Sequence, residues 1–162
     1  MLQFEKIHFG ENMKKFNLFI CILALLFIPW LAHALSPVGN WLSLDDQTHQ
    51  PRCVIKIWQE GDHYFGKVYK VWLQPGEKEG DVCVLCKGEL HNQPMLGLKI
   101  LRGFNQVSAN KWAHGTIVDP TTGGEYHSTL TLNEDGNQLF VRGYIGVPLF
   151  GRTQTWYREG TF

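Results

Sequence analysis

Cys83 and Cys86 are the residues of this chain whose type and spacing come closest to doing chemistry. A Cys-x-x-Cys pair can close as a disulfide, hold a metal through two thiolates, or exchange disulfides with a partner. Redox exchange wants a helix N-terminus in a thioredoxin-like unit to lower the thiol pKa, and no such unit can be read around Cys83. A metal site would extend to His91 as Cys-x2-Cys-x4-His, but residue 96 is Leu and there is no second pair, so other ligands would have to come from far away. The plain reading in an oxidising compartment is a structural disulfide, with the redox and metal roles as alternatives. Cys53, beside Val54 and Ile55, reads as a buried, inert thiol; pairing with Cys83 or Cys86 stays open.

The remaining candidates carry less. His49, His63, His91, His114 and His127 are scattered, and no Ser sits in a Gly-x-Ser-x-Gly elbow. Asp119 precedes Pro120 in a turn, where Asp is a common turn former. The glycines Gly143, Gly146 and Gly151 do not form a phosphate loop before a helix. No catalytic set, metal site or cofactor is indicated. Arg142, Tyr144, Arg152, Gln154 and Trp156 are the sharper possibility. If the strands around them form a hairpin centred near Pro148, Tyr144 faces Arg152 and Arg142 faces Gln154. All then share one face with Phe140 and Trp156. Such a face could line a pocket for an amphipathic or anionic ligand; it could equally be a solvated outer face, or arginines pinning strands.

The elements that would position these residues are strands. Residues 38–44, 52–59, 64–73, 95–104, 111–118, 125–132 and the two arms of 138–158 are short runs rich in β-branched and aromatic residues. Turn-forming stretches separate them: 45–51, 60–63, 74–81, 119–124, 133–137 and 146–151. Residues 82–94 show no period. About eight short strands joined by hairpin-length connections, with no convincing amphipathic helix, predict an all-β antiparallel up-and-down barrel, with a sandwich as the other architecture.

The N-terminus reads as a targeting segment. Met13-Lys14-Lys15 is a basic start, residues 16–27 are almost wholly apolar, and Ala32-His33-Ala34 is a small-x-small cleavage site. The apolar run is short for a membrane span and Pro29 interrupts it. Residues 1–34 are therefore expected to be a signal peptide cleaved after Ala34, and residues 35–162 a single exported domain. Glu5 and Glu11 precede the basic start, where signal peptides avoid acids, so Met13 reads as the real start. Removing residues 1–34 takes away Lys6, Lys14, Lys15, Glu5 and Glu11 and leaves a formal charge of −1, against zero for the whole chain. Neither value favours nucleic acid. The domain that remains has no segment suited to stable membrane insertion, and the sequence assigns no oligomeric state.

Several motifs resemble one bacterial family. Gly39-Asn40-Trp41, Cys86-Lys87-Gly88-Glu89 before Gly97-Leu98-Lys99-Ile100-Leu101, and Asp119-Pro120-x-x-Gly123-x-x-Tyr126 are three of them. The longest is Arg142-Gly143-Tyr144-x-Gly146-x-Pro148-Leu149-x-Gly151-Arg152-Thr153-Gln154-Thr155-Trp156. Together they are similar to the envelope family called "domain of unknown function 2147", over essentially all of the exported domain. The resemblance implies a lipocalin-like barrel in the periplasm of a Gram-negative bacterium and carries no established activity. Gly39, Trp41, Asp119, Pro120, Gly143 and Gly151 are expected to be structural, Asp119 through its turn chemistry. Gly39-x-Trp41 with a basic residue beyond Trp156 looks like the lipocalin arrangement, in which Trp packs at the barrel base under a basic side chain. The reading at this level is a periplasmic protein that binds a small amphipathic or apolar ligand without catalysis. Its rivals are an envelope structural or interaction protein with a filled barrel, and a redox or metal protein acting through Cys83 and Cys86.

Overall fold

The computed structural model describes residues 35–161. The expected signal peptide and its cleavage point lie outside them. Eight antiparallel strands close into a barrel: β1 (Gly39–Leu44), β2 (Pro51–Glu60), β3 (His63–Val71), β4 (Lys99–Ser108), β5 (Lys111–Asp119), β6 (Gly124–Leu132), β7 (Gln138–Tyr144) and β8 (Arg152–Arg158). Each strand pairs with the next, and β8 returns to β1 through Trp41↔Arg158, Leu42↔Tyr157 and Ser43↔Trp156. Among the described residues, closure leaves the barrel no exposed sheet edge for another chain to pair with. Among the described residues, no helix is long and apolar enough to cross a membrane.

Alternation decides which side chains enter the barrel. Along β6, Ser128, Leu130 and Leu132 are buried while Glu125 and His127 are exposed, the period of two that a strand imposes. Up-and-down order then divides the connections between two ends. The turns after β2, β4 and β6 lie at one end, with both ends of the domain. Those after β1, β3, β5 and β7 lie at the other.

The first end is closed by aromatic packing. Trp41, Phe104 and Trp112 are fully buried, and Tyr64 meets Trp112 edge to face at 5.8 Å between ring centroids. Trp41 donates through Nε1 to the Pro37 carbonyl at 2.7 Å. The Arg158 guanidinium lies 4.3 Å from the Trp41 ring centroid. That guanidinium also donates to the carbonyls of Gly136, Val38 and Ser36. One side chain thus ties the last strand, the turn after β6 and the segment before β1 together beneath the tryptophan. Gly39 fits this joint: its φ is +137°, and a Cβ there would come within 2.9 Å of the Arg158 side chain.

Two expected boundaries move. β4 runs from Lys99 to Ser108 rather than over 95–104. Met95–Leu98 instead turns into the strand, with Gly97 at φ +91°. Asn105–Ser108, outside the expected strand, pairs with β5 through Asn105↔Ala113, Gln106↔Trp112 and Ser108↔Lys111. Tertiary pairing, more than local propensity, extends the strand there.

Candidate functional site

The open end of the barrel holds a cavity of about 560 Å³. Its wall is mostly apolar: Ile55, Val68, Ile100, Ile117, Val141 and Trp156 come from six strands. Arg52, Asp46, Arg152 and Gln154 supply polar groups, while Ser43 and Cys53 line it where β1 meets β2.

The polar groups are ordered by one another. Arg152 forms an ion pair with Asp46. Gln154 donates to the same Asp46 carboxylate at 3.0 Å, and its own amide oxygen accepts from Trp156 Nε1 at 3.3 Å. A chain of contacts therefore runs from the buried indole, 2 % exposed, to the Arg152 side chain, 68 % exposed. Arg52 grips Glu77 with both guanidinium nitrogens, at 2.7 and 2.5 Å, and donates to the Trp72 carbonyl. That fork fixes the start of the long β3–β4 connection. Hydrogen bonding to Arg52 holds the Glu77 carboxyl below its ordinary pKa. Burial pushes the Cys53 thiol up to about 11, so at neutral pH it stays protonated and unreactive.

The structure separates the hairpin residues that the sequence groups together. The register is Leu139↔Trp156, Val141↔Gln154, Arg142↔Thr153 and Gly143↔Arg152, one residue away from the pairing centred on Pro148. Leu139 and Val141 are the buried members of β7, so Phe140, Arg142 and Tyr144 turn outward. Tyr144 borders the cavity mouth, but its ring pairs with His127 at 5.9 Å outside the barrel. Arg142 is absent from the cavity wall. Its guanidinium donates to the carbonyls of Pro148 and Leu149 and to the Thr153 hydroxyl. Arg152, Gln154 and Trp156 are the expected residues brought together inside.

Cys83 and Cys86 are joined as a disulfide. Both are buried, at 1 % and 3 % exposure, which denies an exchanging thiol access to the sulfurs. Their loop packs on the β5–β6 turn: Cys83 Sγ lies 3.5 Å from the Pro120 carbonyl oxygen, and Gly123, at φ +68°, faces the Leu85 backbone so closely that no Cβ could fit. Asp119 shapes that turn by accepting from Thr121 N, Thr121 Oγ1 and Thr122 Oγ1. Burial acts to raise its carboxyl pKa, but these hydrogen bonds outweigh it and hold the carboxyl low. Among the described residues, no group of three or more His, Cys, Asp or Glu side chains is placed to hold a metal. Native protein denatured without reductant should present Cys53 as its free thiol, joined by Cys21 where residues 1–34 are retained. Titration with a thiol reagent beside mass mapping checks this, and free Cys83 or Cys86 would contradict it.

Asp46, Arg52, Ser43 and Tyr126 are cavity residues that sequence reasoning missed. Asp46 sits in an ordinary polar turn, and only barrel closure brings that turn to β8.

An eight-stranded up-and-down barrel, closed at one end over a Trp–Arg pair and open at the other onto an apolar cavity, is a lipocalin-like protein. The chain belongs to the family described as "Uncharacterized protein conserved in bacteria (DUF2147)", which matches residues 39–158. Its structure is similar to that of protein HP1028 from the human pathogen Helicobacter pylori, described as belonging to the lipocalin family. The TM-score is 0.67 at 16 % identity, over 78 % of this chain and 85 % of that one. No curated protein matches the chain.

Proposed function

We propose that this protein is a periplasmic carrier of a small amphipathic molecule and performs no catalysis on it. The cavity carries the reading: its wall is mostly apolar, and the Asp46–Arg152–Gln154 cluster stands at its open end. An apolar chain gains by leaving water, at about 25 cal/mol per Å² buried. A polar or anionic head would stay at the mouth beside Arg152, whose planar fork suits carboxylate or phosphate. Asp46 competes for that fork, which favours a head able to displace or share the ion pair.

The test is affinity for a fluorescent fatty acid, measured well below the melting temperature. Arg152→Leu should weaken binding by about tenfold, the scale of one partly exposed charge-assisted hydrogen bond. Asp46→Asn should strengthen it by freeing the guanidinium. Arg142→Leu should leave affinity unchanged and lower stability, because its partners are backbone carbonyls of the β7–β8 connection and Thr153. No measurable binding by wild type would favour the filled-barrel alternative. Equal affinity in all the variants would move the head elsewhere.

A further inference from the structure

The connection between β7 and β8 is exposed and apolar in a way the barrel itself does not require. Ile145, Val147, Leu149 and Phe150 are 74, 53, 79 and 81 % exposed, and no charged side chain occurs from Gly143 to Gly151. Leu85 and Leu96, also exposed, stand on the β3–β4 connection at the same end of the barrel. Isolated exposed apolar residues are ordinary, whereas such a cluster around one opening marks a surface that something covers.

We propose that this rim docks on the surface of a lipid bilayer, through which the cavity exchanges its amphipathic ligand. The inference rests on the carrier reading above. Two observations select lipid as the occupant. First, the apolar rim is continuous with the apolar cavity, because Ile145 and Phe150 belong to both. A ligand leaving a bilayer along that path stays out of water, whereas a protein covering the mouth would seal it. Second, the carbonyls of Val147, Pro148 and Leu149 at the tip are already bonded. Phe150 N donates to Val147 O and Gly151 N to Pro148 O. Arg142, from the outer wall, donates to the carbonyls of Pro148 and Leu149 at 2.7 and 3.1 Å. Each backbone group already bonded lowers the cost of bringing the loop against an apolar medium. The outward turn of Arg142 thus acquires a role: it keeps the Pro148 and Leu149 carbonyls bonded where the uncharged loop meets the lipid surface. With no charge in the loop, docking should be driven by apolar burial and resist salt.

The experiment uses the full chain, expressed in a bacterium and purified in the form the cell leaves it, with its N-terminus determined by mass. Flotation with phosphatidylcholine vesicles is compared for wild type, the Val147→Ser/Leu149→Ser double variant, and Val107→Ser, an exposed apolar control on β4. Neither rim side chain is among those lining the cavity. Wild type should float at low and high salt alike, the double variant should partition about tenfold less or weaker still, and Val107→Ser should match wild type. Flotation unchanged in the double variant, absent in wild type, or abolished by salt would overturn the proposal. So would a concentration-dependent dimer that the same double variant dissolves, since the rim would then cover a second copy. Fatty-acid affinity in lipid-free solution separates the two readings: a rim variant that binds the probe normally but no longer floats establishes docking and leaves the carrier function standing.

Discussion

Trp41→Ala should lower the free energy of unfolding by roughly 3–5 kcal/mol, as large core truncations do. The side chain is fully buried and sits where β1 closes on β8, opposite Arg158 in the register. Three losses coincide in the variant. The indole's apolar surface is no longer buried, a void opens at the closed end, and the Pro37 carbonyl loses its 2.7 Å donor. The Arg158 guanidinium keeps its three carbonyl partners but loses the ring 4.3 Å away, leaving a half-buried charge over a hole. Small domains hold only about 5–15 kcal/mol in total, so the variant should be marginal at growth temperature. Denaturant unfolding of wild type, Trp41→Ala and Arg158→Met measures it. A loss below about 1 kcal/mol for Trp41→Ala would mean that this joint does not close the barrel.

That joint was legible through the resemblance to the lipocalin pattern. Gly39-x-Trp41 near the start and a basic residue past Trp156 are far apart in the chain, but a closed meander must bring first and last strands together. The strand count was legible for a similar reason: alternation such as Tyr126, Ser128, Leu130, Leu132 and turn signals such as Asp119-Pro120 are local, and local signals survive in any context. The β7–β8 register is different. The connection takes in a 3₁₀ turn at Pro148–Phe150, so its midpoint is not set by the proline, and a slip of one residue exchanges the two faces. A better signal lay in β7 itself. Leu139 and Val141 alternate with Phe140 and Arg142, and sending the aliphatic pair inward puts the arginine outside. The partners of Arg152 and Gln154 lay beyond local reading, because Asp46 comes 106 residues from Arg152 and meets it through closure.

Gly143→Phe should weaken ligand binding by close to a hundredfold, while the barrel still folds. Gly143 lines the cavity opposite Arg152, on the inward side of β7. A Cβ at this position would meet Ile117 Cγ2 at 3.5 Å and Tyr126 Cβ at 3.7 Å, ordinary contact distances, and its φ is not among the positive ones. The glycine is therefore not held there by backbone strain, unlike Gly123. Neighbouring Gly151, by contrast, would place a Cβ 2.5 Å from the Gly143 carbonyl, a clash with backbone that cannot give way. A side chain grown from position 143 enters the cavity. A phenyl group there would deny the ligand about 100 Å² of wall, roughly 2.5 kcal/mol at 25 cal/mol per Å², which gives the expected fold-change. Overpacking would cost about 1–3 kcal/mol of stability, less than the loss at Trp41. The series Gly143→Ala, →Val, →Phe makes the effect graded: alanine near wild type, valine intermediate, phenylalanine weakest, with melting temperature followed in parallel. Affinity that stays constant along the series while the protein remains folded would place the ligand outside the barrel and end the carrier reading. If binding falls only in step with melting temperature, position 143 supports the fold and not the site.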